Sequence, residues 1–221
     1  MGQYWVLVNL DKCEASGHLG KLGEFWSTGT GHNLFSRLLV IPSESDPDET
    51  VKAISTSLSG SQPVNVGDWA GDRIICVGDY ASSYPEGLFT KEELDTLNTK
   101  YEGSLWSLVG EEHWPRPKRC GWGRSPKFEG EWVLRNLKKK VYLRLKGLEE
   151  GNCGGVEQVL LAYISWSTDS SCAMHYDLTQ GEWTGDSFDI ALLDDQTKEE
   201  WKDVTEVVVK RVKPIWDSEQ Y

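Results

Sequence analysis

Apolar residues fall in short runs set apart by turns rich in glycine and aspartate. Tyr4 to Leu10 is apolar at nearly every position, which predicts a strand buried on both faces and ended by Asp11-Lys12. Ile74 to Val77 is a second strand, bracketed by Gly71-Asp72 and Gly78-Asp79 as turn chemistry requires. Between them, Gly17, Gly20 and Gly23 predict a loop and Glu24-Phe25-Trp26 a short helical turn, broken by Gly29-Thr30-Gly31. Asn33 is placed as the N-cap of a helix over Leu34 to Leu39, which Pro42 stops. Ser43 to Asp48 predicts an acidic loop and Glu49 to Leu58 a mostly polar helix. Thr90-x-x-Glu93 predicts a capping box, and Leu105, Leu108 and Val109 one side of a helix over Ser104 to Glu112. Trp114-Pro115-Arg116-Pro117 ends it, and His113 to Lys127, with its prolines, glycines and cations, is the best linker in the chain.

The chain then starts again. Trp132-Val133-Leu134-Arg135-Asn136-Leu137-Lys138-Lys139 matches Trp5 to Lys12 in kind, at an offset of 127. A Trp-x-Gly-Asp core at Trp69 to Asp72 returns at Trp183 to Asp186, at an offset of 114. Val156 to Ser165 predicts a strongly apolar strand. Thr197-Lys198-Glu199-Glu200 predicts another capping box, before Trp201, Val204, Val207, Val208, Val212 and Trp216 at helical spacing. Two matching segments in the same order predict an internal duplication. The competing reading is two ordinary strands that each carry a tryptophan. The fold class expected is α+β, with two similar β-rich halves that each bear one or two short helices. The boundaries expected are 1–114 for the first half, 115–128 for a basic linker and 129–221 for the second half.

A chain of 221 residues can bury a real core. No run approaches the ~20 apolar residues of a membrane helix, and Tyr4 to Leu10 is too short for the apolar core of a signal peptide. The five cysteines form no C-x-x-C pair, so reduced thiols in a cytoplasmic protein are expected. A net charge of −12 argues against nucleic acid as a partner, because that affinity rests on neutralising phosphates. The charge is uneven, with eleven Lys or Arg against Glu129 and Glu131 between Arg116 and Lys146. This basic middle suits acidic flanks, within one chain or between copies in a homo-oligomer.

Candidate chemistry is sparse. Asp72 and Asp79, with Asp68 near them, are on hard-oxygen grounds candidate ligands for Mg2+ or Ca2+; Asx-turns capping the strand explain the same residues. Arg73 offers a fork of donors to an anionic group or to a neighbouring acid. Asn9 and Asn136, polar in apolar strands, need partners; they orient a ligand or stitch the two copies together. Ser170, Ser171, Cys172 and His175 lack a nucleophile elbow and an orienting acid, so no catalytic residue is assigned. Eleven tryptophans are many for this length. Trp106, Trp114 and Trp122 flank the basic linker, and with Trp69, Arg73 and Tyr80 they are the candidates for an aromatic slot.

Met1-Gly2-Gln3-Tyr4-Trp5, Val8-Asn9-Leu10-Asp11-Lys12, Trp69-Ala70-Gly71-Asp72-Arg73-Ile74 and Gly78-Asp79-Tyr80 together resemble a largely uncharacterised family of fungi and some bacteria. Trp132 to Leu137 and Trp166 to Asp169 resemble its fungal members in particular. Size and acidity are also similar to those of the pink chromoproteins of oyster mushrooms. That resemblance implies a bound indolone-type chromophore, a divalent metal such as Mg2+, and self-association. The function expected is non-catalytic binding of a small aromatic ligand, such as a pigment, in an aromatic-lined cleft. The alternatives are an enzyme using Asp72, Asp79 or His175, and an interaction module using the basic 116–146 segment.

Overall fold

The computed structural model describes residues 2–27, 35, 38–41, 67–110, 114, 130–151, 154–171 and 178–218. In chain order the first elements are β1 Tyr4–Asn9, β2 Glu14–Lys21, α1 Leu22–Ser27, β3 Ile74–Gly78, α2 Lys91–Lys100 and α3 Leu105–Gly110. There follow β4 Trp132–Asn136, β5 Val141–Arg144, α4 Leu145–Glu150, α5 Val156–Ile164 and β6 Ser165–Trp166. The last are β7 Phe188–Leu192, α6 Asp195–Glu200, β8 Lys202–Asp203 and α7 Thr205–Ser218. The strands form two four-stranded sheets, in the orders β2-β1-β3-β6 and β7-β4-β5-β8. The fold is α+β, and the two halves are copies of one plan.

Register shows the duplication. Antiparallel β1 and β3 set Trp5 opposite Gly78 and Asn9 opposite Ile74. Antiparallel β4 and β7 set Trp132 opposite Leu192 and Asn136 opposite Phe188. The offsets of 127 and 114 carry each pair onto the other. The hairpins agree too, with Asn9 opposite Glu14 and Asn136 opposite Val141. Each asparagine ties down its own hairpin turn. Asn9 Oδ1 accepts from the N–H groups of Asp11 and Lys12, at 3.0 and 2.9 Å, and Asn136 Oδ1 from that of Lys139 at 3.0 Å. Each turn ends on a left-handed non-glycine residue, Cys13 with φ 54° and Lys140 with φ 50°.

The Trp-x-Gly-Asp motif is a tight turn. The Asp72 N–H reaches the Trp69 carbonyl at 3.1 Å, and the Asp186 N–H reaches that of Trp183 at 2.9 Å. The glycine holds the third position with positive φ, 89° at Gly71 and 73° at Gly185, which a side chain resists. The tryptophan is the anchor: Trp69 and Trp183 are both buried.

Two compact units result, and each draws on both halves of the chain. Unit 1 comprises residues 1–25, 73–117 and 160–186; unit 2 comprises 26–72, 118–159 and 187–221. In unit 1, β3 of the first half takes β6 of the second as its parallel neighbour, with Cys76 opposite Ser165. In unit 2, β7 of the second half takes Val40 of the first, parallel to Ile190. The Ile190 N–H reaches the Leu39 carbonyl, and the Ile41 N–H reaches the Ile190 carbonyl, both at 2.8 Å. The same exchange continues through the turns. Gly71 N–H donates to Phe188 in unit 2, and Gly185 N–H to Ile74 in unit 1.

Three expectations are corrected. Residues 156–164 are helix α5, not a strand; a short apolar run buried all round has no period to read, and Glu157, Gln158, Leu160, Leu161 and Ala162 are good helix formers. The run from Thr197 to Trp216 is not one helix. Its cap is Asp194, whose Oδ1 accepts from Thr197 N–H at 2.6 Å, and the chain turns extended at Trp201 before α7 begins. Glycine-containing Glu14–Lys21 is the edge strand β2, with register irregularities where an ordinary strand has none. The helix expected at 34–39 agrees at the described Phe35 and Leu38, and Leu39 N–H bonds back to Phe35 at 2.9 Å. The expected loop at 43–48, helix at 49–58 and linker at 115–128 lie outside the described residues. No helix among the described residues is long and apolar enough to cross a membrane.

The joint between β8 and α7 carries a pH dependence. Burial raises the Asp203 carboxyl, but the Thr205 hydroxyl and N–H and the Arg144 guanidinium bind its charged form more strongly, and it ends below its ordinary value of 3.8. A carboxyl whose folded value is depressed stabilises the fold fully above the unfolded value. That contribution is lost as pH falls through the folded value. The gap in thermal midpoint between wild type and Asp203→Asn is therefore expected to be widest near neutrality and to close below about pH 4. A gap that stays constant with pH would show that the charge of Asp203 is not what matters.

Candidate functional site

A cavity of about 340 Å3 opens in unit 1. It is built around the first turn of α2. Thr90 caps that helix: its hydroxyl accepts from Glu93 N–H at 3.2 Å, and Glu93 Oε2 accepts from Thr90 N–H at 2.6 Å. The other oxygen of Glu93 receives Arg73 at 3.1 Å. Arg73 also donates from its backbone and Nε to the two oxygens of Asp11, each at 2.7 Å, and from Nη1 to the Leu88 carbonyl at 2.9 Å. One guanidinium thus fixes the β1–β2 turn, the loop at Leu88 and the start of α2.

Leu97 of α2 and Leu105 and Leu108 of α3 supply apolar lining, continuous with the core beneath β1 and β3. Phe89, Tyr101 and Trp114 supply rings. Phe89 is held from behind by Tyr84, edge to face at 5.2 Å. The Tyr84 hydroxyl accepts from Leu105 N–H at 2.8 Å, and burial pushes it up to about 12, so it stays protonated. Cys13, at the end of the β1–β2 turn, reaches the lining with Glu92, Glu93 and Thr96. Its thiol is raised, first by burial and then by the charges of Glu93 and Asp11.

The residues singled out from the sequence separate here. Trp114 lines the cavity, and Arg73 stands behind it, holding Glu93. Trp106 packs half-buried against the same core cluster. Trp69 is sealed in unit 2. Tyr80 is partly exposed after β3, and its carbonyl accepts from the Thr168 hydroxyl at 2.8 Å. Trp122 and His175 lie outside the described residues. Asp72 and Asp79 bracket β3 at opposite ends and are not brought together. Asp79 Oδ1 accepts from Tyr4 N–H at 3.1 Å, which closes the β1–β3 ladder. Among the described residues no group of three or more His, Cys, Asp or Glu side chains could hold a metal ion. Lys138, Lys139 and Lys140 form the exposed β4–β5 turn.

Phe89, Tyr101, Glu92 and Cys13 had no individual signal. The capping box located α2, but which of its sides faces inward depends on packing that the sequence does not print. Comparison with known proteins finds no family model, no curated protein and no solved structure that matches the chain.

Proposed function

We propose that this protein is a non-catalytic binding protein that holds a small, flat, largely apolar molecule in the cavity of unit 1. The observation that supports this is the cavity itself, of about 340 Å3, with three aromatic rings around an apolar interior and a few polar groups at one side. Ligand pockets have that size and that balance of surfaces. Extended-ring pigments, including the indolone type, belong to this class of ligand.

The test is native mass spectrometry and an absorption spectrum of the protein from its own source, beside a Leu97→Trp variant that fills the cavity. Bound small-molecule mass in wild type and its loss in the variant is the expected result. A visible band that follows the bound mass would identify a pigment, and the intact mass would read any homo-oligomer directly. A ligand retained unchanged by Leu97→Trp, or a wild-type protein that holds none and takes up none from a panel of aromatic compounds, would overturn the reading.

A further inference from the structure

We infer that the cavity selects a positively charged ligand: a protonated amine carried on one or two aromatic rings. This rests on the cavity being a binding site and adds the charge of what it binds.

Among the described lining residues none is Lys, Arg or His, while two are carboxylates, Glu92 and Glu93, in the first turn of α2. Arg73 does not reverse that sign. Its guanidinium is shared between Asp11 and Glu93, two acids against one cation. Burial is the first cause of the raised Cys13 thiol, and the charges of Glu93 and Asp11 add to it while Arg73 opposes them.

The start of a helix ordinarily favours anions, but here it is already met in part from within. The capping box engages the N–H groups of Thr90 and Glu93, and the acids Glu92 and Glu93 occupy the first turn. An anionic ligand would meet those acids at close range. A cation meets them favourably, and the faces of Phe89, Tyr101 and Trp114 attract positive charge as well. Carboxylates accept hydrogen bonds, so a cation with N–H donors gains more than a quaternary one. Glu93 has structural partners on both oxygens, which leaves exposed Glu92 as the side chain best placed to receive the ammonium.

Three compounds with one ring system separate the contributions: tryptamine as cation, 3-methylindole as neutral and indole-3-acetate as anion. Each is titrated into the full chain by calorimetry. Occupancy of the cavity is read separately, as slowed iodoacetamide labelling of Cys13 in peptide mass spectrometry. The expected order is tryptamine tightest, by about tenfold or more over 3-methylindole, with indole-3-acetate weakest. Glu92→Gln is expected to remove most of that advantage, weakening tryptamine far more than 3-methylindole. Equal affinity for all three, a preference for the anion, or a Glu92→Gln variant that keeps the full preference would overturn the charge selection; Cys13 protection by the neutral ring would then leave the cavity reading standing. Failure of all three compounds to protect Cys13 would overturn both.

Discussion

Gly181→Ala is expected to be the most damaging glycine-to-alanine substitution among the described residues. Gly181 lies where the backbone after residue 180 crosses the end of α5. Its N–H donates to the Ser165 carbonyl at 2.8 Å, and two residues on, Trp183 N–H donates to the Tyr163 carbonyl at 2.8 Å. A Cβ at 181 would stand 2.7 Å from Ile164 N and closer still to the Tyr163 carbonyl group. These neighbours are backbone and cannot swing aside as a side-chain end can. The buried rings of Tyr163 and Trp183, 4.2 Å apart, pack together at the same crossing. Relief requires pulling the two backbones apart and losing both bonds, which costs roughly 3 kcal/mol or more. Gly71→Ala is the comparison. A Cβ there meets nothing within 4 Å, and only its φ of 89° opposes the change, at roughly 1–2 kcal/mol. Denaturant midpoints measured side by side should place Gly181→Ala well below Gly71→Ala. Equal midpoints would mean that the close crossing is not there.

Asp189→Ala should cost nearly as much, for an electrostatic reason. Asp189 on β7 stands directly opposite Arg135 on β4. The pair is bidentate, at 2.7 and 2.8 Å, with only 5% of the Asp189 side chain and 17% of the Arg135 side chain exposed. Thr197 receives the guanidinium at 3.3 Å, and the Trp201 ring lies 5.5 Å beneath it. Removing the acid leaves a largely buried cation without its carboxylate, at a cost of about 3 kcal/mol. The duplication supplies the rescue. The positions that correspond in unit 1 are Val8 and Ile75, also directly opposite one another. The double variant Arg135→Val with Asp189→Ile copies that pair and should recover most of the loss. Chemical denaturation of wild type, Arg135→Val, Asp189→Ile and the double variant forms a mutant cycle. A neutral Asp189→Ala, or a double variant no better than the single, would show that the ion pair is not the main tie between β4 and β7.

What could be read from the residues depended on whether their chemistry is local. The strands at Tyr4 and Ile74, the Trp-x-Gly-Asp turn and the Thr90 cap are local, since each is specified within a few residues. The repeat was legible for the same reason, because its landmarks recur in order. Strand β2 was not, since its glycines signal a loop until a neighbour supplies hydrogen bonds. Helix α5 was not, since burial on all sides erases the period that separates helix from strand. The mixed make-up of the units was invisible, because a linear reading assigns Val40 and Ser165 to the halves in which they occur. Of the cavity, Trp114 and the supporting Arg73 could be named. Trp69 could not be told apart from them, as eleven indoles look alike until their neighbours are known.

The exchange of neighbours between β3 and β7 also bears on how the chain reaches its native state. A ribosome that has released the first hundred residues has delivered β1, β2 and β3, yet the strand that completes their sheet begins at Ser165. The nascent first copy must therefore wait with an open sheet edge until the second copy has emerged as far as Trp166. Unpaired edges of that kind invite association with other chains. The sequence separation of these contacts, rather than the size of the protein, sets the interval during which a chaperone has something to protect.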